Sequence, residues 1–593
     1  MSGAHSLPHP LIRSLSRGWW RAALMLWLSA MACGCANGLP TQVDRPVSTA
    51  FQAPQDTPLG TMVQQLRPAG ARPQTSAFTL LAGAQAAYGA RLALVDGAQR
   101  TLDLQYYAIH ADESTQRLLR GVVDAARRGV RVRVLLDDFH STGADAQVMR
   151  LAFVPGIEMR MFNPLAGARG SVLGRAYTLL TDFQRAQQRM HNKLFIADNV
   201  MGVIGGRNLG DAYFDADSTS NFVDLDVLAA GPITADLSRS FDSYWNNPRA
   251  YPVQSLISLK ELQQLRQRFA TQDDAAQDDD APATSVASRT EDGQDVRHNQ
   301  AVWDQQPMDL RKAPWTWAAA AVLVDQPAKI PLDKEEGADG STVSSPGEAQ
   351  ARPAGTLALS QPPHALRQAT RPVLEADSVV NGLLALVRKT RRDLLVVSPY
   401  FVPGPDMMQA FRGARDRGVR VRILTNSLAS NDAPLAHAGY ARHRKALLEM
   451  GVELYELRST AAGLRSALRA GSTGGGPSGS AGASRAMLHS KLLVVDGHLV
   501  AVGSMNLDLR SQLQNTEIAL LIASREFGRL ATQSIAQGLE DGSWKVEIDQ
   551  DGDLVWRASE DSDREDERSE PDASWGLRLM LRLLGPLAPD HLL

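Results

Sequence analysis

Two copies of a His-x-Lys pair are the residues of this sequence best suited to catalysis. His191 and Lys193 form the first copy, and His489 and Lys491 form the second. Alternate residues of a β-strand point to the same face of a sheet, so each histidine is expected to project beside its lysine. The apolar residues after each lysine predict that these strands are buried. A histidine can act as a nucleophile or as a general acid–base, and a lysine can hold an anion.

The pattern continues in the same way after both pairs. An aspartate follows each lysine after five residues, at Asp198 and Asp496, and an asparagine follows each histidine after 17 residues, at Asn208 and Asn506. A Gly-Gly or Gly-Ser pair just before each asparagine lets the backbone turn and come close to a ligand. We therefore expect the asparagines to re-enter the histidine pocket. We expect the aspartates to be structural residues that satisfy backbone and turn donors.

This set of residues suits phosphodiester chemistry. One histidine can attack phosphorus to form a phosphohistidine, and the other can protonate the departing alcohol and then deprotonate the incoming one. Two lysines and two asparagines supply donors for the non-bridging oxygens. The chemistry requires no metal and no other cofactor, and we expect neither. Because four polar positions keep one spacing in two places, we predict that the copies are two halves of one active site.

A histidine used in this way requires an acidic partner on its second ring nitrogen, which fixes the tautomer. Asp224 lies downstream of the first motif and Glu517 lies downstream of the second. We assign these two residues as the orienting carboxylates, with Asp226 as the alternative to Asp224. The competing interpretation makes them solvent-facing charges at strand ends.

The elements around the motifs are also duplicated. Residues 127–135 read Arg-Arg-Gly-Val-Arg-Val-Arg-Val-Leu, and residues 416–424 read Asp-Arg-Gly-Val-Arg-Val-Arg-Ile-Leu. Strands alternate with helices in both halves, which predicts an α/β fold with a largely parallel sheet. Duplication predicts two α/β/α sandwich units, over residues 76–271 and 313–548, packed about a pseudo-two-fold axis with one shared active site. The predicted helices cover 82–95, 116–128, 378–391 and 407–417, and the predicted strands cover 101–109, 129–137, 393–402 and 418–426.

Polar segments interrupt the repeat. Residues 272–312 form an acidic polar linker, and flexible insertions are predicted within the second unit at about 333–361 and 471–484. The apolar residues 313–324 are expected to open the second sheet. Residues 549–573 form a further acidic segment.

The N-terminus resembles a bacterial lipoprotein signal. Three arginines precede an apolar run over residues 22–32, which is too short to span a bilayer comfortably. The only cysteines of the chain, Cys33 and Cys35, follow this run. We predict a signal peptide over residues 1–34, lipidation of Cys35 and a tether over residues 35–75. Lipidation of Cys33 and an uncleaved membrane anchor are the alternatives.

Residues 574–593 predict an amphipathic C-terminal helix. Arg578 and Arg582 are four residues apart and share one helical face, while Trp575 leads an apolar remainder. This pattern is typical of a helix that lies on a lipid surface. Docking on the protein core, or on a partner protein, is the alternative. The net charge of −3 shows no basic excess, which argues against a nucleic-acid-binding protein.

With these motifs the sequence resembles the phospholipase D superfamily from about residue 82 to residue 548. Further features resemble the bacterial cardiolipin synthase C branch, namely the lipoprotein-like start, the amphipathic tail and the segments 205–214, 397–404 and 426–440. The resemblance implies that a phosphatidyl group passes from one phospholipid to a hydroxyl of phosphatidylglycerol, giving cardiolipin. It also implies that His191 is the nucleophile and His489 the acid–base.

The implied partners are phospholipid substrates and a membrane surface, at the bacterial cell envelope, with a protein partner left open. A hydrolase on the same scaffold is the first alternative function, either a phospholipase D or a nuclease. A nuclease would require a basic groove for the phosphate backbone, so we expect no nucleic-acid partner. The second alternative is a non-catalytic envelope lipoprotein that binds anionic lipid. The long acidic and Gly/Ser-rich insertions depart from the usual shorter pattern of the superfamily.

Overall fold

A computed structural model of the 593-residue chain gives the architecture. The structure describes residues 39–165, 182–217, 219–264, 305–331, 357–360, 376–459, 485–540, 542–559 and 564–585, with a few isolated positions between them. The predicted signal peptide, Cys33 and Cys35 lie outside the described residues. So do the insertion at 471–484 and most of the linker at 272–312 and the insertion at 333–361.

Helices and strands alternate along the described chain. The α-helices are α1 (Pro58–Leu66), α2 (Gly83–Gly97), α3 (Glu113–Arg127), α4 (Phe183–Gln187), α5 (Ile233–Trp245), α6 (Val253–Leu256), α7 (Val379–Val387), α8 (Pro405–Asp416), α9 (Pro434–Glu449), α10 (Leu509–Leu513), α11 (Arg525–Glu540) and α12 (Trp575–Leu584). Short 3-10 helices cover Pro54–Asp56, Gly143–Phe153, Asp211–Tyr213 and Pro327–Lys329.

The strands of the first half are β1 (Ser76–Ala82), β2 (Thr101–Tyr106), β3 (Arg131–Asp137), β4 (Ile157–Phe162), β5 (Leu194–Ala197), β6 (Met201–Gly205), β7 (Ser220–Val223), β8 (Leu225–Ala230) and β9 (Ala250–Pro252). Those of the second half are β10 (Thr316–Asp325), β11 (Leu357–Leu359), β12 (Asp393–Val397), β13 (Phe401–Val402), β14 (Arg420–Asn426), β15 (Glu453–Leu457), β16 (Arg485–Leu488), β17 (Leu492–Val495), β18 (Leu499–Gly503), β19 (Leu507–Asp508), β20 (Ile518–Ala523), β21 (Ser543–Ile548) and β22 (Leu554–Arg557).

The two halves repeat one strand order. The first half runs β9-β4-β3-β2-β5-β6-β8-β1, and the second half runs β22-β21-β15-β14-β12-β17-β18-β20-β10-β11. In the first half, β1 pairs with β8, the strand that begins directly after Asp224. In the second half, β10 pairs with β20, the strand that begins directly after Glu517. β1 and β10 pair with each other in antiparallel register, with Ser76 opposite Ala318, and so join the halves. The predicted duplicated α/β architecture is confirmed.

The expectation of a largely parallel sheet is wrong. Within the two main sheets of the described chain, parallel pairing is limited to β2-β3-β4 and to β12-β14-β15. The strands after the two motifs, β5 and β17, instead form antiparallel hairpins with β6 and β18. Only three residues, 198–200 or 496–498, separate the paired ends, and a connection this short can join only antiparallel strands. The repeated Gly-Val-Arg-Val-Arg segments form β3 and β14, which pair in parallel as predicted. The hairpins after the motifs make the remaining pairs of each sheet antiparallel.

The predicted helices and strands are present, with small shifts at their ends. One strand differs, because the segment predicted over residues 393–402 forms two strands, β12 and β13. Pro399 lies between them and has no N–H for the ladder, so the strand is interrupted there. The apolar segment 313–324 does open the second sheet, as β10.

A shared core holds the two halves together. Apolar side chains from the facing sides of both sheets form one cluster, which includes Phe78 and Val227 of the first half and Val322 and Ile522 of the second. Helix α5 packs in this cluster from the first half, and α11 packs in it from the second. The opposite faces of the sheets are covered by separate clusters, with α2 and α3 in the first half and α7 and α8 in the second. The strands that directly follow the two motif lysines, β5 and β17, are therefore buried on both faces.

Each motif is hydrogen-bonded to the opposite half of the molecule. The backbone N–H of His191 donates to the carbonyl of Thr516 over 3.0 Å, and that of His489 donates to the carbonyl of Val223 over 2.9 Å. Strand β16, just before the second motif, pairs in parallel with β7 of the first half. The equivalent contact on the other side is a parallel bridge between Met190 and Thr516. These contacts fix the two histidine segments relative to each other.

The motif aspartates lie in the hairpin turns and not in the pocket. Both have a left-handed backbone, with φ of 53° at Asp198 and 51° at Asp496. Each carboxylate accepts three consecutive backbone N–H groups at the start of a neighbouring strand, β2 or β12, over 2.7–3.2 Å. The donors are Gln99, Arg100 and Thr101 for Asp198, and Arg391, Arg392 and Asp393 for Asp496. Each aspartate thus fastens the motif hairpin to the parallel part of the sheet.

The C-terminal helix α12 lies against the protein with one face exposed. Arg442 of α9 donates to the carbonyl of Gly585 over 2.8 Å, which holds the end of α12. Trp575, Leu579 and Leu583 recur every fourth residue, and 77%, 39% and 64% of their surfaces are exposed. In the described part of the chain, we find no helix with the length and apolar character needed to cross a bilayer.

Candidate active site

The two motif histidines are each fixed by a carboxylate from the opposite half. The Nδ1 atom of His191 lies 3.0 and 3.1 Å from the two carboxylate oxygens of Glu517, and the Nδ1 atom of His489 lies 2.7 Å from Oδ2 of Asp224. All four side chains are buried. Engagement of Nδ1 sets the tautomer and directs Nε2 as the reacting nitrogen of each ring. The sequence identified both carboxylates, but it did not indicate that the pairs cross between the halves.

The two carboxylates are stabilised in different ways. The hydroxyls of Ser504 and Ser511 donate to Glu517, the second over 2.8 Å. Asp224 accepts the backbone N–H of Leu225 over 2.8 Å. Burial raises the pKa of Glu517 to about 7, and burial also raises the pKa of Asp224. Both acids therefore take a proton more readily than an exposed carboxyl does.

The difference between Gly-Gly in the first motif and Gly-Ser in the second follows from these contacts. A Cβ atom added at Gly206 would lie 3.0 Å from Oδ2 of Asp224 and 3.1 Å from the carbonyl oxygen of His489, so a side chain there would crowd the histidine–carboxylate pair. The equivalent position of the second half is Ser504, whose hydroxyl becomes a partner of Glu517. The alternative carboxylate, Asp226, does not approach a motif histidine. It pairs instead with Arg91 over 3.0 Å and with Arg207 over 3.3 Å.

The two lysines place their ammonium groups beside the histidines. Lys193 donates to the carbonyl of His191 over 2.6 Å, and Lys491 donates to the carbonyl of His489 over 2.7 Å. Burial lowers the pKa of Lys193 and lowers the pKa of Lys491 to about 8. Burial, together with the positive charges of both lysines, also holds the pKa of each histidine well below its usual value. The imidazoles are therefore neutral near pH 7, as a nucleophile requires.

The two motif asparagines have different surroundings. The side chain of Asn208 accepts the backbone N–H of Ala108 over 3.3 Å and donates to the hydroxyl of Tyr213 over 2.9 Å. Asn506 is also buried, but its side-chain oxygen has no hydrogen-bond partner. An unsatisfied acceptor in a buried site is costly, so Oδ1 of Asn506 is available to accept a hydrogen bond from a hydroxyl group of a ligand.

Two further residues hold the backbone just before each histidine, and sequence analysis missed them. Oδ2 of Asp137 accepts the N–H of Met190 over 2.9 Å, and Oδ1 of Asn426 accepts the N–H of Leu488 over 2.8 Å. Asp137 and Asn426 are the last residues of the two duplicated strands β3 and β14. Their equivalent positions in the repeat could have identified them, although their side chains differ.

An aromatic wall lines the first-half side of the pocket, and no spacing rule predicted it. Neighbouring rings lie 4.8–6.3 Å apart, centroid to centroid, and the series connects one motif histidine to the other. In order, the rings are those of His191, Tyr107, His140, His110, Tyr213 and His489. Tyr107 and His110 follow β2, His140 follows β3 and Tyr213 ends a short 3-10 helix, so no local pattern joins these residues.

All eight residues predicted for catalysis meet in this one buried region. The two halves of the site are close enough for the charge of Lys491 to lower the pKa of both His191 and Lys193. The site thus offers two neutral imidazoles, two buried lysines and, at Asn506, a side-chain oxygen that can accept a hydrogen bond. Such a set can bind an anionic phosphodiester and transfer protons on both sides of it. The catalytic role of each residue is still a prediction.

Comparison with known proteins agrees with this geometry. The sequence model of the family described as "Cardiolipin synthase, PLD-like domain" matches residues 92–245 and 383–538, and each match contains one motif. Cardiolipin synthase C of Escherichia coli is 34% identical over 508 residues, which cover 86% of this chain and 94% of that protein. An uncharacterized protein of Helicobacter pylori is 30% identical over 557 residues, covering 94% of this chain and 97% of that protein.

A solved structure supports the fold. The phosphatidylserine synthase of Haemophilus influenzae superposes with a TM-score of 0.51, covering 90% of this chain and 100% of that chain. Its sequence is 12% identical, so this likeness concerns the fold alone. The predicted family rests on the sequence matches, which span both halves and both motifs. The chain therefore belongs to the cardiolipin synthase family of proteins with phospholipase D-like domains.

Proposed function

We propose that this protein is a phosphatidyltransferase that makes cardiolipin from phosphatidylglycerol and a second phospholipid through a phosphohistidine intermediate. Membership of the cardiolipin synthase family supports the reaction. The observation that carries the mechanism is the crossed pairing of His191 with Glu517 and of His489 with Asp224. It gives two imidazoles with fixed tautomers in one buried pocket, beside two lysines.

In the first step, Nε2 of His191 attacks the phosphorus of the donor lipid. The bond from phosphorus to the head-group oxygen breaks, and His489 gives that oxygen a proton, so the head group leaves as an alcohol. Lys193 and Lys491 hold the non-bridging oxygens. The phosphodiester itself is an anion, and its charge favours the protonated form of His489 that this step requires.

In the second step, a hydroxyl of phosphatidylglycerol enters the place of the departed alcohol. His489, now neutral, takes the proton of this hydroxyl while its oxygen attacks phosphorus. The bond between phosphorus and His191 breaks, which gives cardiolipin and the free enzyme. Water in place of the lipid hydroxyl would give phosphatidic acid, so the reaction depends on water being kept out while the intermediate waits.

The lipid products test this function directly. The purified protein is incubated with phosphatidylglycerol, with and without phosphatidylethanolamine, and the products are analysed by mass spectrometry. We expect cardiolipin, and we expect His191→Ala or His489→Ala to lower its rate by roughly 10³-fold or more, because each removes a reacting group. The matched control is His498→Ala, at an exposed histidine of the β17–β18 turn, which should change the rate less than twofold. Phosphatidic acid as the sole product would contradict transfer.

The covalent intermediate can be trapped with an activated substrate. In a phosphatidyl ester of p-nitrophenol the leaving group departs with little help from an acid, so His489→Ala should still form the intermediate. We expect a burst of close to one equivalent of p-nitrophenol and an acid-labile phosphatidyl group on the peptide that contains His191. His191→Ala should give no burst. A phosphatidyl group on His489 of the His191→Ala variant would contradict the proposed roles.

The dependence of kcat/KM on pH follows from two shifted groups. Glu517 must be ionised to orient His191, and because its pKa is raised to about 7, activity should fall as the pH drops through this value. Lys491 must be charged to hold phosphate, and because its pKa is lowered to about 8, activity should fall as the pH rises through that value. We expect a narrow maximum between these limits in the free enzyme. Lys491→Arg should shift the alkaline limb upward, since a guanidinium stays charged. An unchanged alkaline limb would exclude Lys491 as its origin.

We also propose that the protein is held at a bilayer of the bacterial cell envelope, by lipidation of Cys35 and by the exposed face of α12. The apolar run before Cys35 supports the first anchor. The stripe of Trp575, Leu579 and Leu583 supports the second, because large apolar side chains in one row bind to the interface of a membrane. Arg578 and Arg582 on the same helix can meet anionic head groups.

Vesicle binding tests the role of α12. With both cysteines replaced by serine, so that no acyl anchor contributes, the protein is sedimented with phosphatidylglycerol vesicles. Replacing Leu579 and Leu583 by serine should weaken binding roughly tenfold or more, since burial of one leucine is worth about 1.5–3 kcal/mol. The control is Val47→Ser, at a site 78% exposed on another part of the surface. Unchanged binding together with a lower melting temperature would show that α12 serves only to cover the core.

A further inference from the structure

A long groove lies outside the catalytic pocket, between α3 and the 3-10 helix Gly143–Phe153. Its volume is about 970 Å³, at the upper end of the range of ordinary ligand sites, about 300–1,000 Å³. Its walls are largely apolar. The apolar lining comes from Leu119 and Val123 on α3, and from Val148, Leu151, Phe153 and Val154 on the other side.

The inner end of the groove meets the active site. His110 lines the groove and also belongs to the aromatic wall, with its ring 6.3 Å from Tyr213 and 6.2 Å from His140. Tyr213 in turn contacts His489 at 5.3 Å between ring centroids. The Nδ1 atom of His110 lies 2.9 Å from Asp145 of the 3-10 helix, which holds this junction in place. The groove and the aromatic wall of the active site therefore share the ring of His110, and the groove begins two ring contacts away from His489.

The groove has the length and the charges that suit a phospholipid. Its α3 wall extends from Thr115 to Arg127, and 12 residues of helix rise about 18 Å. One acyl chain spans half of a bilayer core, about 15 Å. The exposed rim carries Arg120, Arg127 and Arg150 against a single exposed aspartate, Asp124, which pairs with Arg127 over 2.9 Å. A rim with excess positive charge favours an anionic lipid over a neutral one.

We propose that this groove binds an acyl chain of one of the two phospholipid substrates while the phosphodiester of that lipid lies at His191 and His489. The inference rests on the proposed function, since it assumes a lipid substrate. It adds that the protein recognises the length of the substrate's acyl chain, through contacts in this groove. A lipid bound in this way is partly withdrawn from the bilayer before it reacts.

Filling the groove tests the proposal. Val123→Trp places a bulky side chain in its floor, and Leu119→Trp does the same one helical turn nearer the active site. We expect kcat/KM for dioleoyl phosphatidylglycerol to fall tenfold or more, and kcat/KM for soluble dihexanoyl phosphatidylglycerol to change less than twofold. Val47→Trp is the control, with the same substitution at an exposed site. Intact turnover of the short-chain lipid shows that the variants are folded.

Two outcomes would overturn the groove assignment. One is an equal loss for both lipids, and the other is no loss for either. Failure of the proposed function would look different, because the unsubstituted protein would then form no transfer product from either lipid.

A second measurement does not depend on turnover. Phosphatidylglycerol with a photoactivatable diazirine near the end of its acyl chain is bound to the His191→Ala variant and cross-linked, and the labelled peptides are mapped. We expect labels within Glu113–Arg127 and Gly143–Phe153. Labels confined to other surfaces would show that the groove serves another occupant, such as a protein partner or a second copy of this chain.

Discussion

The crossed pairing of histidines and carboxylates is the constraint on which the rest of this structure depends. His191 is held by Glu517 and His489 by Asp224, so neither half contains a complete histidine–carboxylate pair. Because each histidine needs a carboxylate from the other half, the two halves must be held together close to the motifs. The backbone of each histidine segment is hydrogen-bonded to the strand or bridge that carries the opposite carboxylate. The core between the sheets then supplies the apolar burial that keeps these contacts closed to water.

Burial of this polar cluster is also what makes it reactive. Lys193 and Lys491 carry two positive charges, while Asp224 and Glu517 carry two negative charges when ionised. Buried charges are tolerated when they are paired, and here the charges of the free site are balanced. Because water is excluded, each group influences the others strongly, and the histidines stay neutral while the lysines hold a site for an anion. A bound phosphodiester adds one negative charge, which the protonated form of His489 balances.

Sequence analysis predicted the family, the duplication and the set of residues that meet in the site, because the two motifs repeat one spacing of polar residues. It could not predict which carboxylate serves which histidine. That pairing depends on how two distant segments, at Val223 and Thr516, approach the opposite motifs. It also missed Tyr107 and Tyr213, whose positions are set by loops that follow no repeat. The antiparallel hairpins were missed for a different reason, since strand periodicity gives the face of a side chain but not the direction of the neighbouring strand.

The distance along the chain between the partners of each pair has a consequence for biosynthesis. Glu517 follows His191 by 326 residues, and β1 is paired with β10 of the second half. At about 5–20 residues per second, a ribosome takes roughly 15–65 s to make the segment between them. During that interval the first half carries an apolar sheet face without its covering and a motif histidine without its carboxylate. The active site can therefore form only after both halves have been made.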